Sequence, residues 1–421
     1  MAVVESGDRV QVTQNNREFI GVLMPSTTDF IVIKLASGYN VGFNPDTAQV
    51  TLVEKAVPIS QEKAPQHIKP DLPRVSIVST GGTIASKIDY RTGAVTSQFD
   101  ADDIIDAIPE LTEIANIDGT LLFNVLSENI NPSLWSELAR CVYDQIRLGA
   151  DGVIVTHGTD TMAYSAAALA FMLTTPVPVV FVGSQRSADR PSSDNVINAV
   201  CAAITATSDL AGVNEVMHEN ESDDTCLVHR ATRTKKMHTS RRDAFRSINA
   251  MPVARVHYAA RSLEPLSDHA LRRSCDLSIS PQIDPRCALV KFYPGARPEI
   301  IEFLLSQGCR GLVIEGTGLG HVSKEWIPHL QKATKHVPVI MTSQCINGSV
   351  CDRVYDTGRD LLRAGVIEAY DMLSETALVK LMWALGQTSD LDEVQSLVTS
   401  DVAGEVSIDQ SRTQLTFGGS L

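Results

Sequence analysis

Short apolar runs that stop abruptly at glycine- and hydroxyl-rich loops recur along this chain. Val75-Ser76-Ile77-Val78-Ser79 reads as a buried strand that ends at Thr80-Gly81-Gly82-Thr83-Ile84-Ala85-Ser86. Gly152-Val153-Ile154-Val155-Thr156 reads the same way and ends at His157-Gly158-Thr159-Asp160-Thr161. Thr161 to Leu173 is alanine-rich and free of Gly and Pro, which predicts a helix starting just after Asp160. Arg186 to Asn195 is a polar loop before another alanine-rich helical stretch. A second α/β unit starts near Cys287-Ala288-Leu289-Val290-Lys291. In it, Pro298 to Gln307 suggests a helix, and Gly311-Leu312-Val313-Ile314 a strand running into the Gly-rich Glu315 to Gly320. Alternation of this kind predicts doubly wound α/β architecture, in which ligands bind outside the carboxyl ends of the strands. The two hydroxyl-bearing loops are then placed to face one substrate.

Residues 7 to about 53 follow a different rhythm. Strand-like runs from Asp8 to Val12, Glu18 to Leu23 and Phe30 to Leu35 alternate with the turn signals Asn15-Asn16, Ser26 to Asp29 and Ser37 to Asn40. The spacing suggests a small antiparallel β-barrel, either a docking module or a stabilising appendage. Lys55 to Pro73 holds four prolines and no sustained apolar period, and reads as a linker. The expected division is a barrel over residues 1–54, a linker over 55–72, an α/β domain with the active site over 73–284 and a second α/β domain over 285–421.

A length of 421 residues with 43% hydrophobic content suffices for two or three cored domains. The acidic start, with Glu5 and Asp8, does not read as a secretory leader. No run approaches the roughly 18 apolar residues of a membrane span, so a cytoplasmic location is expected. Eight scattered cysteines without a zinc-like spacing read as reduced thiols, and no metal site is expected. The formal charge of −14 argues against a chain that grips nucleic acid over most of its surface. Arg230 to Arg246 is the basic exception, readable as a solvated face or as a contact for RNA or an acidic partner. The loop Glu315 to Gly320 lacks the Lys-Ser/Thr of a P-loop and reads as a backbone turn rather than a nucleotide site.

Threonine is a poor nucleophile unless a base stands nearby, and lysine can serve when its surroundings favour the neutral amine. Thr159 and Asp160 share one strand end, and Lys236 lies in Thr232-Arg233-Thr234-Lys235-Lys236-Met237-His238-Thr239-Ser240. These three could form a relay in which Asp160 holds Lys236 and Lys236 assists Thr159 or its water. Taken singly, Asp160 before a helix is a natural N-cap, and a threonine after glycine is often a cap as well. His157 reads as a structural hydrogen-bonder, and His229 and His238 as exposed or locally bonded.

The two threonine loops resemble the paired signatures of the L-asparaginase and glutaminase family of amidohydrolases. From about Pro73 to Gly386, Leu126-Ser127-Glu128-Asn129, Val182-Gly183-Ser184-Gln185-Arg186, Glu315 to Gly320 and Asp371 to Leu381 follow in the family's order. The resemblance implies that Thr83 is the nucleophile of the first loop and that Thr159, Asp160 and Lys236 form the second catalytic group. Lys236, rather than Lys235, stands nine residues before Phe245, as the family's lysine does. Tyr90 would be the loop tyrosine that positions the nucleophile. Ser127 and Glu128 match the pair that binds the substrate's α-carboxylate and α-amine; free asparaginases commonly carry Gln where this chain has Glu128. The residues alone leave either threonine available for the first attack.

The leading barrel, the linker, the Ser127-Glu128 pair and the loop Ile88 to Val95 are similar to the asparaginase-like subunits of archaeal tRNA-dependent amidotransferases. That similarity implies a chain that binds no cofactor itself and releases ammonia from glutamine. It also implies a partner E-type subunit that uses ATP and magnesium to convert Glu-tRNA(Gln), held mainly by the partner, to Gln-tRNA(Gln). A homodimer within a heterotetramer follows from the same resemblance. The alternatives are a free L-asparaginase with an extra domain, or a non-catalytic RNA-binding or assembly subunit led by the barrel.

Overall fold

The structure, a computed structural model, describes residues 4, 7–15, 17–24, 30–35, 40–55, 69–81, 87–88, 95–96, 107–186, 192–351 and 354–407. The leading unit is a five-stranded antiparallel sheet in the spatial order Asn40–Phe43, Ile31–Leu35, Arg17–Met24, Arg9–Gln14, Gln49–Glu54. Period-two alternation buries Val10 and Val12 against Ile33 and Phe43, and the Phe19 and Phe43 rings stand 5.1 Å apart. Three of the five strands are those the sequence predicts, while Asn40–Phe43, which begins at the end of a predicted turn, and Gln49–Glu54 are not; their order is that of an open sheet, with no ladder between its two end strands among the described residues. The end of the linker is docked. Asn116 donates to the carbonyls of Lys69 and Leu72, both at 2.8 Å, and accepts from Lys69 N at 2.8 Å.

An eight-stranded sheet dominates the next unit. Its order is Ser262–Pro265, Ala254–His257, Thr225–Arg230, Gly212–His218, Pro178–Val182, Gly152–Thr156, Arg74–Ser79, Asn116–Leu121. The last five are mutually parallel and the first three antiparallel. Buried on both faces, the strand Gly152–Thr156 is apolar throughout its centre: Val153 and Val155 meet the helices Pro132–Arg147 and Met162–Met172, and Ile154 meets Asn195–Ala206. Asn131 caps the first of these helices by accepting from Ser133 N at 3.0 Å, and Pro132 supplies the fixed φ of its first turn.

The C-terminal unit is a four-stranded parallel sheet, Cys287–Lys291, Gly311–Gly316, Val339–Ser343 and Ile367–Glu368. Its long helix Ser374–Gln387 packs on Met162–Met172, with the Phe171 and Trp383 rings stacked at 5.9 Å, so the two α/β units share one continuous core. The loop after Gly311–Gly316 is a tight turn, closed by Thr317 N to His321 O at 2.9 Å, with Gly318 and Gly320 at positive φ. All eight cysteines are free thiols. Among the described residues no helix is long and apolar enough to cross a membrane.

Candidate active site

Three loops leave the carboxyl ends of adjacent parallel strands and are tied together at their roots. Thr80 donates to Thr156 O through its N–H at 3.1 Å and its hydroxyl at 2.8 Å, joining the first and second loops. Val125 N donates to Thr80 O at 3.3 Å, and Gly81, at φ +103°, passes so close that a Cβ would stand 2.6 Å from Val125 O. Thr161 Oγ1 donates to Ser127 O at 2.7 Å, bringing the third loop against the second. A Cβ on Gly158 would stand 3.0 Å from Ser127 Oγ, so this glycine gives Ser127 its room.

Lys236 comes to this corner from far along the chain. It ends the short strand Thr234–Lys236, paired with Phe245–Ser247, and the fully buried Phe245 anchors the hairpin. Lys236 Nζ donates to Thr159 Oγ1 at 2.9 Å and to Asp160 Oδ1 at 2.7 Å. The lysine side chain is 14% exposed and the Asp160 side chain 71%, so the group is sealed on the lysine side and open on the carboxylate side. Asp160 is therefore not the cap that its place before a helix suggests. Thr161 holds the N-cap position of Met162–Met172 and makes no side-chain cap bond. Because Lys236 donates both bonds, the Thr159 hydroxyl proton is left to point elsewhere.

His157 is a structural residue. Its Nδ1 stands 2.7 Å from Gly158 O and must donate there, so Nε2, 2.8 Å from Ser165 Oγ, accepts; Ser165 in turn accepts from Trp135 Nε1 at 2.9 Å. Burial drives the imidazole pKa down to about 4, which keeps it neutral. The sequence gives little warning of Ser165 in this role; a lone serine inside an alanine-rich helix is the one signal. His238 is exposed and caps Ser240 N and Arg241 N. His229 is locally bonded, through Nδ1 to Ser247 Oγ at 2.8 Å, but it is fully buried, and burial with the Arg246 charge takes its pKa down to about 3.

Of the seven residues singled out by sequence, Ser127, Thr159, Asp160 and Lys236 are brought together here. Glu128, exposed, follows Ser127 in a one-turn 3₁₀ segment and has no ion-pair partner among the described residues. Thr83 and Tyr90 lie outside the described residues. The basic run Arg230 to Arg246 is occupied within the chain. Arg230 donates to Asp268 O; Arg233 pairs with Asp371, Lys235 with Glu375, Lys236 with Asp160, Arg242 with Asp223, and Arg241 and Arg246 both with Asp243. It is a structural network rather than a free basic patch.

The family "Asparaginase, N-terminal" matches residues 74–266, "Glutaminase/Asparaginase C-terminal domain" matches 286–398 and "GatD N-terminal domain" matches 4–53. The D-type subunit of the glutamyl-tRNA(Gln) amidotransferase of Methanosarcina barkeri is 55% identical over 416 residues, covering 96% of this chain and 98% of the relative. The same subunit from Archaeoglobus fulgidus is 54% identical over 402 residues, 95% of each chain. The solved thermostable L-asparaginase of Thermococcus kodakarensis superposes with a TM-score of 0.72 at 31% identity, over 79% of this chain and 99% of that one.

Proposed function

The chain belongs to the asparaginase family and, within it, to the D-type subunits of glutamyl-tRNA(Gln) amidotransferases, and from that premise we propose how its site works. It is the amidohydrolase component of the amidotransferase, a glutaminase subunit that acts with a partner subunit. In our reading Thr83 Oγ bonds to the side-chain carbonyl carbon of glutamine, the C–N bond breaks, and the nitrogen takes up a proton and leaves as ammonia. Water then attacks the resulting ester, releasing glutamate and restoring Thr83. Thr159, Asp160 and Lys236 activate the attacking hydroxyl or the hydrolytic water. Ser127 and Glu128 bind the α-carboxylate and α-ammonium, and Tyr90 positions the nucleophile.

The observation that carries this reading is the double donation from Lys236 Nζ to Thr159 Oγ1 at 2.9 Å and Asp160 Oδ1 at 2.7 Å. A hydroxyl beside a lysine that a carboxylate orients has what amide hydrolysis asks of a proton-handling group. Against the alternative of a free asparaginase stands the match of residues 4–53 to the GatD N-terminal domain, while the Thermococcus asparaginase, aligned along 99% of its length, covers 79% of this chain. Against a non-catalytic RNA-binding protein stands the assembled group itself.

For the partner we propose an E-type subunit that uses ATP and magnesium to activate the glutamate on Glu-tRNA(Gln) and receives the ammonia, with a dimer of this chain at the centre of a heterotetramer. This chain then needs no cofactor of its own. The deciding experiment is ammonia release from glutamine and from asparagine by wild type and Thr83→Ala, with and without the partner, ATP and Glu-tRNA. Glutamine hydrolysis that rises with partner and charged tRNA and vanishes in Thr83→Ala supports the reading. Brisk asparagine hydrolysis indifferent to the partner makes the chain a free asparaginase.

A further inference from the structure

Lys236 ends a strand of three residues, and a two-stranded ribbon of that length has little stability of its own. Its root is held from the C-terminal unit. Arg233, 3% exposed, donates through Nη1 to Asp371 Oδ2 at 2.9 Å and to Asp371 O at 3.3 Å, through Nε to Gly404 O at 2.9 Å, and through Nη2 to Ser407 Oγ at 3.3 Å. Asp371 is fixed in turn: Ser407 N donates to Oδ1 at 3.0 Å and Ser407 Oγ to Oδ2 at 2.5 Å. Thr232 Oγ1 donates to Ala403 O at 3.0 Å, and Ile248 N donates to Arg233 O at 2.8 Å, which closes the hairpin onto this anchor. Asn249, beyond the returning strand, donates to Asp371 O at 2.9 Å. Successive strand residues then point to opposite sides: Lys235 to Glu375 of the C-terminal unit, Lys236 to Thr159 and Asp160.

We propose that Arg233 and Asp371 are positioning residues for Lys236, through which the C-terminal unit keeps Nζ within hydrogen-bond reach of Thr159 and Asp160. This rests on the reading of Lys236 as a catalytic group. The pair is buried on both sides, so removing one partner strands a charge and the root of the hairpin must move to relieve it. A displacement of about 1 Å at a reacting group costs up to about 100-fold in rate. The Ser127 loop is tied to Thr161 rather than to the hairpin, so substrate binding is spared. The signature is a fall in kcat with KM for glutamine unchanged.

The test uses the full chain with its partner subunit and charged tRNA, and reads glutamine-dependent ammonia release together with Tm. Arg233→Met is expected to lower kcat by about 10- to 100-fold with KM within about twofold, and Arg233→Lys, which keeps a charge for Asp371, to recover part of the loss. Asp371→Asn, close to isosteric, gives the same kinetic signature should Arg233→Met fail to fold. Asp284→Asn breaks an ion-pair cluster with Arg286 and Arg310 elsewhere and serves as the control for lost stability alone. Full kcat in folded Arg233→Met and Asp371→Asn, or an equal kcat loss in Asp284→Asn at matched Tm, overturns the proposal. Lys236→Met separates the two levels: if it is fully active the catalytic reading fails, and if it is inactive while Arg233→Met and Asp371→Asn are not, only the positioning role fails.

Discussion

Gly183 leaves Thr159 the space it occupies: a Cβ on Gly183 would stand 2.6 Å from Thr159 Cγ2 and 2.9 Å from His157 O. Gly183 follows the strand Pro178–Val182, which runs parallel to Gly152–Thr156, so the neighbouring strand end is cut back to glycine beside the candidate catalytic loop. His157 O is backbone and cannot yield, so the threonine must. Gly183→Ala is expected to push Thr159 away from Lys236 Nζ and to lower glutamine hydrolysis by about 10- to 100-fold. Far-UV circular dichroism should stay that of the wild type. Wild-type ammonia release from the folded variant would remove Thr159 from the mechanism.

Asp160 and Lys236 separate catalytic from structural roles by their exposure. Exposed ion pairs contribute at most about 1 kcal/mol, and the Asp160 carboxylate is largely in solvent, so Asp160→Asn should barely change Tm. Its effect on kcat should be large, about 10- to 100-fold, because the lysine loses the charge that orients it beside Thr159. Lys236→Met should cost more, since it removes the group that meets both partners. A variant in which Tm falls while kcat holds would make the pair a piece of scaffolding.

Two buried histidines set an acid limit to stability. Burial lowers the pKa of His157 from 6.5 to about 4 and that of His229 from 6.5 to about 3. Each is neutral in the folded chain where the unfolded chain would hold a proton. The stability they protect is fully present above pH 6.5, is lost as pH falls below it, and stops falling once the folded-state pKa is passed. Differences of about 2.5 and 3.5 pH units correspond to on the order of 3 to 5 kcal/mol each. Tm should therefore begin to drop as pH falls below 6.5, above the range in which most carboxylates titrate, and go on dropping to pH 4. A Tm flat across that window would contradict the buried, neutral state of both rings.

Much of this arrangement was legible in the chain because it rests on local signals. The strand before each threonine loop is a short apolar run ending at glycine or histidine, and the structure gives Arg74–Ser79 and Gly152–Thr156 where the pattern put them. The helix expected from Thr161 to Leu173 is Met162–Met172, and that expected from Pro298 to Gln307 is Glu299–Ser306. Beyond the group of Thr159, Asp160 and Lys236, contact between distant segments is not legible in the sequence. Nothing near Arg233 announces Asp371, 138 residues away, so a buried anchor reads as one more charge in a basic run. The antiparallel edge from Thr225–Arg230 to Ser262–Pro265 is likewise not legible in sequence, because its outer strands mix charges with short apolar runs and are defined by their pairing. Asp160 taken singly reads as a cap because its neighbour in sequence is a helix; the relay with Lys236, 76 residues on, is the one long-range contact the sequence reading anticipates, and the structure forms it.

Glu215 stands opposite His229 in the ladder between Gly212–His218 and Thr225–Arg230, and its titration runs the other way. The residue is fully buried and neither carboxylate oxygen has a hydrogen-bond partner. Thr234 lies close enough to interact with it, yet the Thr234 hydroxyl proton is directed to Arg230 O at 2.7 Å, so the threonine offers no donor. Burial accordingly drives the Glu215 pKa well above its ordinary 4.5, and the folded chain holds a proton there that the unfolded chain releases. Stability from this site is therefore lost as pH rises above 4.5, opposite in sign to the histidines. Glu215→Gln keeps the shape of the protonated acid and has no proton to hold. The variant should match wild type at pH 4.5 and gain on it by about 1.4 kcal/mol for each pH unit above, until the folded-state pKa is reached. Thermal melts at pH 4.5, 6 and 8 decide it. A Glu215→Gln difference that does not change with pH would mean that the carboxylate is ionised and paired in the folded chain.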